Sequence, residues 1–154
     1  MRLTRESRYA IQALMILARH SGQMVGARQI AAEAGLPVAF LQKILRLLAV
    51  AGVIESIRGR GCALAREPAS ITMREVLAAI EGPDVFGGRC IFWREECAPD
   101  SPCELHFRWR EVKPGLEDAI ARTSLAEIIR EAGGATGAAR SAGPLATRGD
   151  TLRG

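Results

Sequence analysis

The chain has 154 residues and a mass of 16.6 kDa, with 48% apolar, 25% charged and 5% aromatic residues. This length fits one globular domain or two very small ones that share a core, and it excludes a multidomain enzyme. With so few aromatic residues, we do not expect large base-stacking surfaces or carbohydrate-binding faces. No stretch reaches the roughly 18 apolar residues of a membrane span, and the first residues lack the apolar centre of a signal peptide, so we expect a cytoplasmic protein.

Charge is unevenly distributed along the chain. Residues 1–66 carry ten Lys/Arg against three Asp/Glu, residues 67–132 carry eight against thirteen, and residues 133–154 carry three against one. A basic N-terminal half beside an acidic segment indicates that one end meets a polyanion, and nucleic acid is the first candidate. The charge pattern alone also fits a solvated surface that is merely lopsided.

The N-terminal half predicts a helix-turn-helix. Apolar residues recur at helical spacing over residues 4–20, which predicts a first, buried helix. A shorter helix is predicted over residues 27–34, with Gly35 as its C-terminal cap. A third helix is predicted from Pro37, at the first helical position, to Gly52. Two helices joined by a tight turn that contains glycine form a helix-turn-helix.

A basic hairpin and a helix follow. Residues 53–57 and 62–65 have the pattern of two strands, and residues 58–61 have that of a flexible tip, so the hairpin would form a wing. Thr72 and Glu75 are spaced as a capping box, which predicts the start of the next helix. Residues 83–102 show no periodicity, and a loop of this length in so small a protein is expected to have a role.

Two more helices are predicted near the C-terminus. The apolar residues of the first form a stripe that needs a partner: Leu105, Trp109, Val112, Leu116 and Ile120. Pro114-Gly115 is expected to kink or interrupt this helix. Ser124 and Glu127 form a second capping box, and the helix after it is expected to reach Gly133. The remaining residues are predicted to be disordered, because they have almost nothing to bury.

The third helix carries a polar face suited to DNA. Its members lie at i, i+3, i+4 and i+7, opposite the apolar ridge: Ala39, Gln42, Lys43 and Arg46, with Phe40 beside them. Gln can pair with adenine, Arg or Lys with guanine, and Ala can contact a thymine methyl group. A charged amphipathic helix without DNA contacts is the alternative.

Further candidate DNA contacts lie outside this helix. Arg58, Gly59 and Arg60 at the hairpin tip could reach phosphates or the minor groove, and Arg2, Arg5 and Arg28 could hold the DNA backbone. An ordinary surface hairpin is the alternative.

Four possible metal ligands lie within seventeen residues: Cys90, Cys97, Cys103 and His106. Thiolate and imidazole ligands suit iron-sulfur clusters or zinc, although the close Cys pairs of most structural zinc sites are absent. Free thiols beside a surface histidine are the alternative, since disulfides are not expected in a reducing compartment. Cys62, in the second strand, is predicted to be a small buried apolar side chain.

Several of these features together resemble one bacterial family. They are the opening Met1-Arg2-Leu3-Thr4, Tyr9-Ala10, Gly52-Val53-Ile54, the wing Arg58-Gly59-Arg60-Gly61, and the three cysteines with His106 and Trp109. The chain resembles the IscR-type winged-helix regulators of the Rrf2 family, which also includes NsrR and RirA. The resemblance covers about residues 1–131.

The resemblance implies a homodimeric regulator, expected to act as a repressor. Its long helices would cross, and each subunit would place a helix-turn-helix on half of a double-stranded operator. An iron-sulfur cluster would set DNA affinity according to iron, redox or nitric oxide status. The implied parts are a winged helix-turn-helix domain (1–66), a cluster-binding loop with dimerisation helices (67–131) and a disordered tail (132–154).

The resemblance also implies the cluster ligands. Cys90, Cys97 and Cys103 match the family's cluster cysteines, and His106 matches the fourth ligand of the IscR branch, which holds a 2Fe-2S cluster. The nitric-oxide-sensing branch completes a 4Fe-4S site with an Asp just before the first-helix Tyr, where this chain has Arg8. This difference favours the 2Fe-2S type.

The chain departs from the family pattern in three places. The first Cys interval is one residue longer than in IscR, and the wing reads Arg60-Gly61-Cys62-Ala63-Leu64 where Pro-Gly-Gly-Gly-Tyr is common. Gln42 stands where IscR has a Glu that discriminates between classes of DNA site. Operator contacts are therefore expected to differ.

Three other functions share some of these features. A small iron-sulfur electron carrier would have the same ligands but has no need of a basic helix-turn-helix. A zinc-stabilised winged-helix repressor without sensing chemistry would keep the DNA contacts. An enzyme is not expected, because three thiolates and one His would close a zinc coordination sphere and no general base is evident.

Overall fold

Helices dominate the computed structural model, which describes residues 4–86 and 100–135. In chain order its elements are α1 (Arg5–Arg19), α2 (Ala27–Ala34), α3 (Val38–Val50), β1 (Ile54–Ile57), β2 (Gly61–Leu64), α4 (Met73–Glu81), α5 (His106–Arg122) and α6 (Leu125–Ala135). Short 3-10 helices lie at Pro68–Ser70 and Pro83–Phe86. The predicted fold class, mainly α with a small β-hairpin, is confirmed.

The helix-turn-helix and the helices after it share one hydrophobic core. Its fully buried large side chains come from α1, α2, α3, α4 and from the start of α6: Leu14, Leu17, Ile30, Leu41, Ile44, Leu48, Val76 and Leu125. Each such burial contributes about 1.5–3 kcal/mol. The core therefore continues across residue 66, where the sequence suggests a boundary between two functional parts.

The turn between α2 and α3 is tight. Gly35 adopts a left-handed conformation with φ of 66° and caps α2, as predicted. The Leu36 N–H donates to the Ala31 carbonyl at 2.9 Å, which closes the end of α2. Pro37 lies one position earlier than predicted: it is the extended N-cap of α3, with ψ of 132°. The proline ring fixes only φ, at a value that extended and helical backbones share.

The wing is held against the segment before α2. β1 and β2 pair antiparallel from Ile54 with Leu64 to Ile57 with Gly61, and Cys62 exchanges two backbone hydrogen bonds with Val25, of 2.8 and 2.9 Å. Gly61 has φ of 107°, and a Cβ there would collide with the Val25 carbonyl. The predicted tip therefore shortens to three residues, because Gly61 belongs to β2 and is needed for this close approach.

Both predicted capping boxes are present. Glu75 accepts hydrogen bonds from the Thr72 N–H and hydroxyl, each 2.9 Å, and Glu127 accepts the equivalent bonds from Ser124, of 2.7 and 2.8 Å. The two helix starts also lie side by side, since Thr72 and Ser124 form an isolated antiparallel bridge. The beginnings of α4 and α6 are thus fixed to each other.

These capping carboxylates predict loss of stability in acid. Partial burial raises the pKa of Glu75, but hydrogen bonds from the Thr72 backbone and Arg66 outweigh it and leave that pKa below the ordinary value of a glutamate. The Ser124 backbone and hydroxyl likewise lower the pKa of Glu127. A carboxyl whose pKa is lower in the folded state stabilises the fold above its unfolded pKa, and this contribution is lost as pH falls through the folded value.

We expect the double variant Glu75→Gln/Glu127→Gln to lose less free energy of unfolding than the parent protein as pH falls below 4.5. Urea unfolding at a series of pH values would measure this. Glu55→Gln is the control, because Glu55 lies on β1 and caps no helix. Parallel pH profiles for the parent and the double variant would contradict the prediction.

The C-terminal helices differ from expectation in two details. α5 continues through Pro114, so the helix is not interrupted there, and the alternative of a kink stays a prediction. A proline inside a helix removes one hydrogen bond and can be accommodated by the turns on either side. α6 runs through Gly133 to Ala135, beyond its predicted end. The rest of the predicted tail lies outside the described residues, as do Arg2, Cys90 and Cys97.

Candidate nucleic-acid interface and metal ligands

The predicted DNA-reading face of α3 is exposed. Its apolar ridge enters the core, so the opposite side of the helix is left for solvent: Ala39, Gln42, Lys43 and Arg46 are all exposed. This separation follows from the helical period, which places Leu41, Ile44 and Leu48 together on the other side. The structure thus brings the four predicted residues onto one accessible face.

An open groove lies between α3 and the wing. It has a volume of about 1010 Å³, and fifteen residues line it. Four of them are arginines: Arg28 from α2, Arg46 from α3, and Arg58 and Arg60 from the hairpin tip. Within residues 4–86 and 100–135, the lining contains no Asp or Glu. Residues predicted separately from a helix and a hairpin therefore meet in one positively charged groove.

The backbone geometry of the tip supports this arrangement. The Arg60 N–H donates to the Ile57 carbonyl at 3.0 Å, and Gly59 has φ of 79°, so the chain reverses between the two arginines. With β2 anchored at Val25, the tip places both arginines in the lining of the groove. A fixed hairpin loses less conformational freedom on binding than a mobile one.

Two contacts connect α3 to the start of α1. Lys43 Nζ lies 3.0 Å from Glu6 Oε1 in a salt bridge. The Phe40 ring packs edge-on against Tyr9, with ring centroids 5.6 Å apart. Phe40 is thus partly buried and supports the position of α3, and its DNA contact stays a prediction.

Sequence reasoning missed two apolar residues beside the groove. Val50, at the end of α3, is 82% exposed, and Ile57 of the wing is 44% exposed, and both line the groove. Helical spacing would have found Val50, because it follows Arg46 by four residues on the predicted reading face. Large exposed apolar groups here suit contact with thymine methyl groups.

Two of the four predicted metal ligands lie among the described residues. Cys103 is 5% exposed, and its carbonyl accepts a hydrogen bond of 3.0 Å from the His106 N–H at the start of α5. One turn of backbone therefore holds the two residues together. Since the other two candidates fall outside residues 4–86 and 100–135, the described part contains no group of three metal-binding side chains.

Cys62 lies in β2 and is 4% exposed, as predicted for a small buried side chain. Burial raises the pKa of its thiol, and a hydrogen bond with Ser56 opposes this less strongly. A thiol kept protonated is a poor metal ligand. Cys62 lines the groove, whereas Cys103 is a candidate metal ligand at the start of α5.

Comparison with known proteins gives consistent findings. The model of the Rrf2 family, described as an iron-dependent transcriptional regulator, matches residues 3–131. The HTH-type transcriptional regulator IscR of Photorhabdus laumondii is 30% identical over 132 residues, covering 84% of this chain and 79% of the relative. IscR of Xenorhabdus nematophila is 29% identical over 133 residues, covering 84% and 80%.

Solved structures show the same fold. CymR, the global cysteine regulator of B. subtilis, superposes with a TM-score of 0.69 at 23% identity, covering 84% of this chain and 97% of that one. IscR of T. potens superposes with a TM-score of 0.64 at 26% identity, covering 86% and 88%. Within the described residues, no helix combines the length and apolar character needed to cross a membrane.

Proposed function

Because the chain belongs to the Rrf2 family of transcriptional regulators, we propose that it is a homodimeric repressor whose affinity for operator DNA depends on an iron-sulfur cluster. DNA-binding regulation, not enzymatic catalysis, is the activity of its relatives. The observation that carries the proposal is the groove between α3 and the wing, whose lining, among the residues that the structure describes, has four arginines and no carboxylate.

We assign different DNA contacts to the two walls of the groove, α3 and the wing. α3 enters the major groove, where Gln42, Lys43 and Arg46 face the base edges and Ala39 allows close approach. Arg58 and Arg60 on the wing contact phosphates or the minor groove, and Arg28 contacts the backbone beside α3. Arg2 and Arg5 extend these phosphate contacts at the N-terminus.

The described ligand residues fit a cluster with three Cys and one His. Cys103 supplies a buried thiol, and His106, hydrogen-bonded to the Cys103 carbonyl, supplies an imidazole from the first turn of α5. Cys90 and Cys97 would complete the set, and the 2Fe-2S type is proposed because Arg8 stands where a 4Fe-4S site would need an acid. Such a cluster supplies redox and iron-exchange chemistry. Cys103 and His106 lie at the start of α5, the helix proposed for dimerisation.

That helix carries an apolar surface for a second copy of the chain. Leu105, Val112 and Leu116 of the α5 region are 46%, 61% and 41% exposed. They recur at near-heptad spacing, which is the pattern of paired helices. A dimer formed there would present two copies of α3 to a two-fold symmetric operator.

The cluster is tested by comparing Cys103→Ser with Cys62→Ala. After anaerobic purification, we expect the parent protein and Cys62→Ala to absorb visible light and to contain iron and sulfide, and Cys103→Ser to contain neither. Their affinity for a duplex selected from a random pool by the parent protein would then be measured at fixed salt. Loaded and cluster-free parent protein should differ by about 5- to 150-fold, the usual range of allosteric coupling.

Three results would redirect the assignment. Equal affinities of the loaded and cluster-free forms would remove sensing but keep DNA binding. Zinc without iron or sulfide would favour a zinc-stabilised repressor. A coloured protein that shows no salt-dependent binding to duplex DNA would favour an electron carrier.

A further inference from the structure

The carboxylate of Glu81 holds the first turn of α1 from a distant part of the chain. Its Oε1 accepts hydrogen bonds from the Thr4 N–H at 2.8 Å, from the Thr4 hydroxyl at 2.7 Å, and from the Ser7 hydroxyl. Ser7 is only 2% exposed. The first N–H groups of a helix have no partner within it, and a negative charge there is favoured by the helix dipole.

Glu81 supplies the hydrogen-bond acceptor that holds Thr4, the N-cap residue of α1. Thr4 is the N-cap of α1, but its side chain makes no capping bond to that helix. Instead the last residue of α4, seventy-seven positions away, binds both polar groups of Thr4. The position of the α1 N-terminus is therefore set by tertiary structure.

The turn held by Glu81 is also the one that contacts α3. Glu6 lies between Thr4 and Ser7 and pairs with Lys43, while Tyr9 follows within the next turn and packs on Phe40. A shift of this turn would move both contacts, and with them the exposed face of α3. An unbroken set of contacts thus runs from Glu81 through α1 to the reading helix.

We propose that Glu81 is a positioning residue for DNA binding, which holds the first turn of α1 so that Glu6 and Tyr9 keep α3 in place. The inference rests on the proposed function only in that α3 reads DNA, and it requires no cluster.

The test compares Glu81→Ala, Glu81→Gln, Lys43→Ala and Glu81→Ala/Lys43→Ala. Affinity for the selected duplex would be measured at several salt concentrations, with circular dichroism to confirm folding. We expect Glu81→Ala to weaken binding by about 2- to 30-fold, the range seen for residues within coupled networks. The salt dependence should fall towards that of Lys43→Ala. Glu81→Gln keeps an acceptor oxygen and should lie between Glu81→Ala and the parent protein.

The double variant should lose less affinity than the product of the two single-variant losses, because the Glu6–Lys43 contact is common to both changes. Glu75→Gln is the matched control: it changes the capping glutamate at the other end of α4 and should leave DNA affinity unchanged.

If Glu81→Ala binds with parent-like affinity while Lys43→Ala binds more weakly, the inference is overturned but DNA reading by α3 is still supported. If the alanine variant does not fold, parent-like affinity of Glu81→Gln has the same meaning. Multiplying effects in the double variant would also overturn it. Parent-like affinity for Lys43→Ala would instead overturn the proposed role of α3, and the inference with it.

Discussion

Replacing Arg46, Arg58 and Arg60 together with alanine is expected to lower affinity for operator DNA by at least about a hundredfold, because a guanidinium paired with a base is worth about 1–3 kcal/mol and each phosphate contact adds a salt-dependent contribution. The three side chains line one groove, and in the described part of the chain no carboxylate contributes to that lining. Titration of the selected duplex at several salt concentrations would measure the loss.

The single and double variants should separate the two walls of the groove. Arg58→Ala/Arg60→Ala should weaken binding to all sequences and reduce the salt slope by about two, because two phosphates would no longer be neutralised by the wing. Arg46→Ala should chiefly relax preference at one base pair. The matched control is Arg19→Ala/Arg122→Ala/Arg130→Ala, which removes the same charge from helices outside the groove lining. An equal loss of affinity in this control would mean that net charge, not the groove, determines binding.

Introducing acidic residues on α5 is expected to have a comparably large effect. Val112→Glu/Leu116→Glu should yield a monomer, since two carboxylates would have to be buried at the proposed helix pair without partners. A monomer contacts only half of a symmetric operator, so affinity for the full site should fall by about a hundredfold or more. Sedimentation equilibrium would measure the mass, and DNA titration the affinity.

Phe107→Glu provides the control for this prediction. Phe107 is also an exposed apolar residue of α5, 56% accessible, but it lies nine residues and therefore two and a half turns before Leu116, on the opposite side. This variant should remain dimeric. A dimeric Val112→Glu/Leu116→Glu variant would show that α5 does not form the subunit contact.

Local signals predict the elements well. The Thr72–Glu75 and Ser124–Glu127 capping boxes form as expected, and the end of α2 at Gly35 is correct. Each depends on a bond or conformation within a few residues, which the chain encodes directly. The effects of Pro37 and Pro114 are predicted less well, because a proline restricts its own φ while neighbouring packing decides whether a helix begins or continues there.

The exposed face of α3 is also predictable, whereas its surroundings are not. Helical periodicity alone places Gln42 and Arg46 together, but their meeting with Arg58 and Arg60 depends on the anchoring of β2 at Val25. The Lys43–Glu6 pair joins residues 37 positions apart. No spacing rule relates such positions.

Periodicity and capping residues were sufficient to define the helices, the wing and the exposed polar face of α3, because these properties arise from interactions within one or two turns of chain. Tertiary structure alone decided that four arginines share one groove, that Gly61 must be glycine, and that Glu81 binds Thr4 and Ser7 in the first turn of α1. These depend on surfaces brought together by burial of a common core, and the free energy that selects them is distributed over the whole fold.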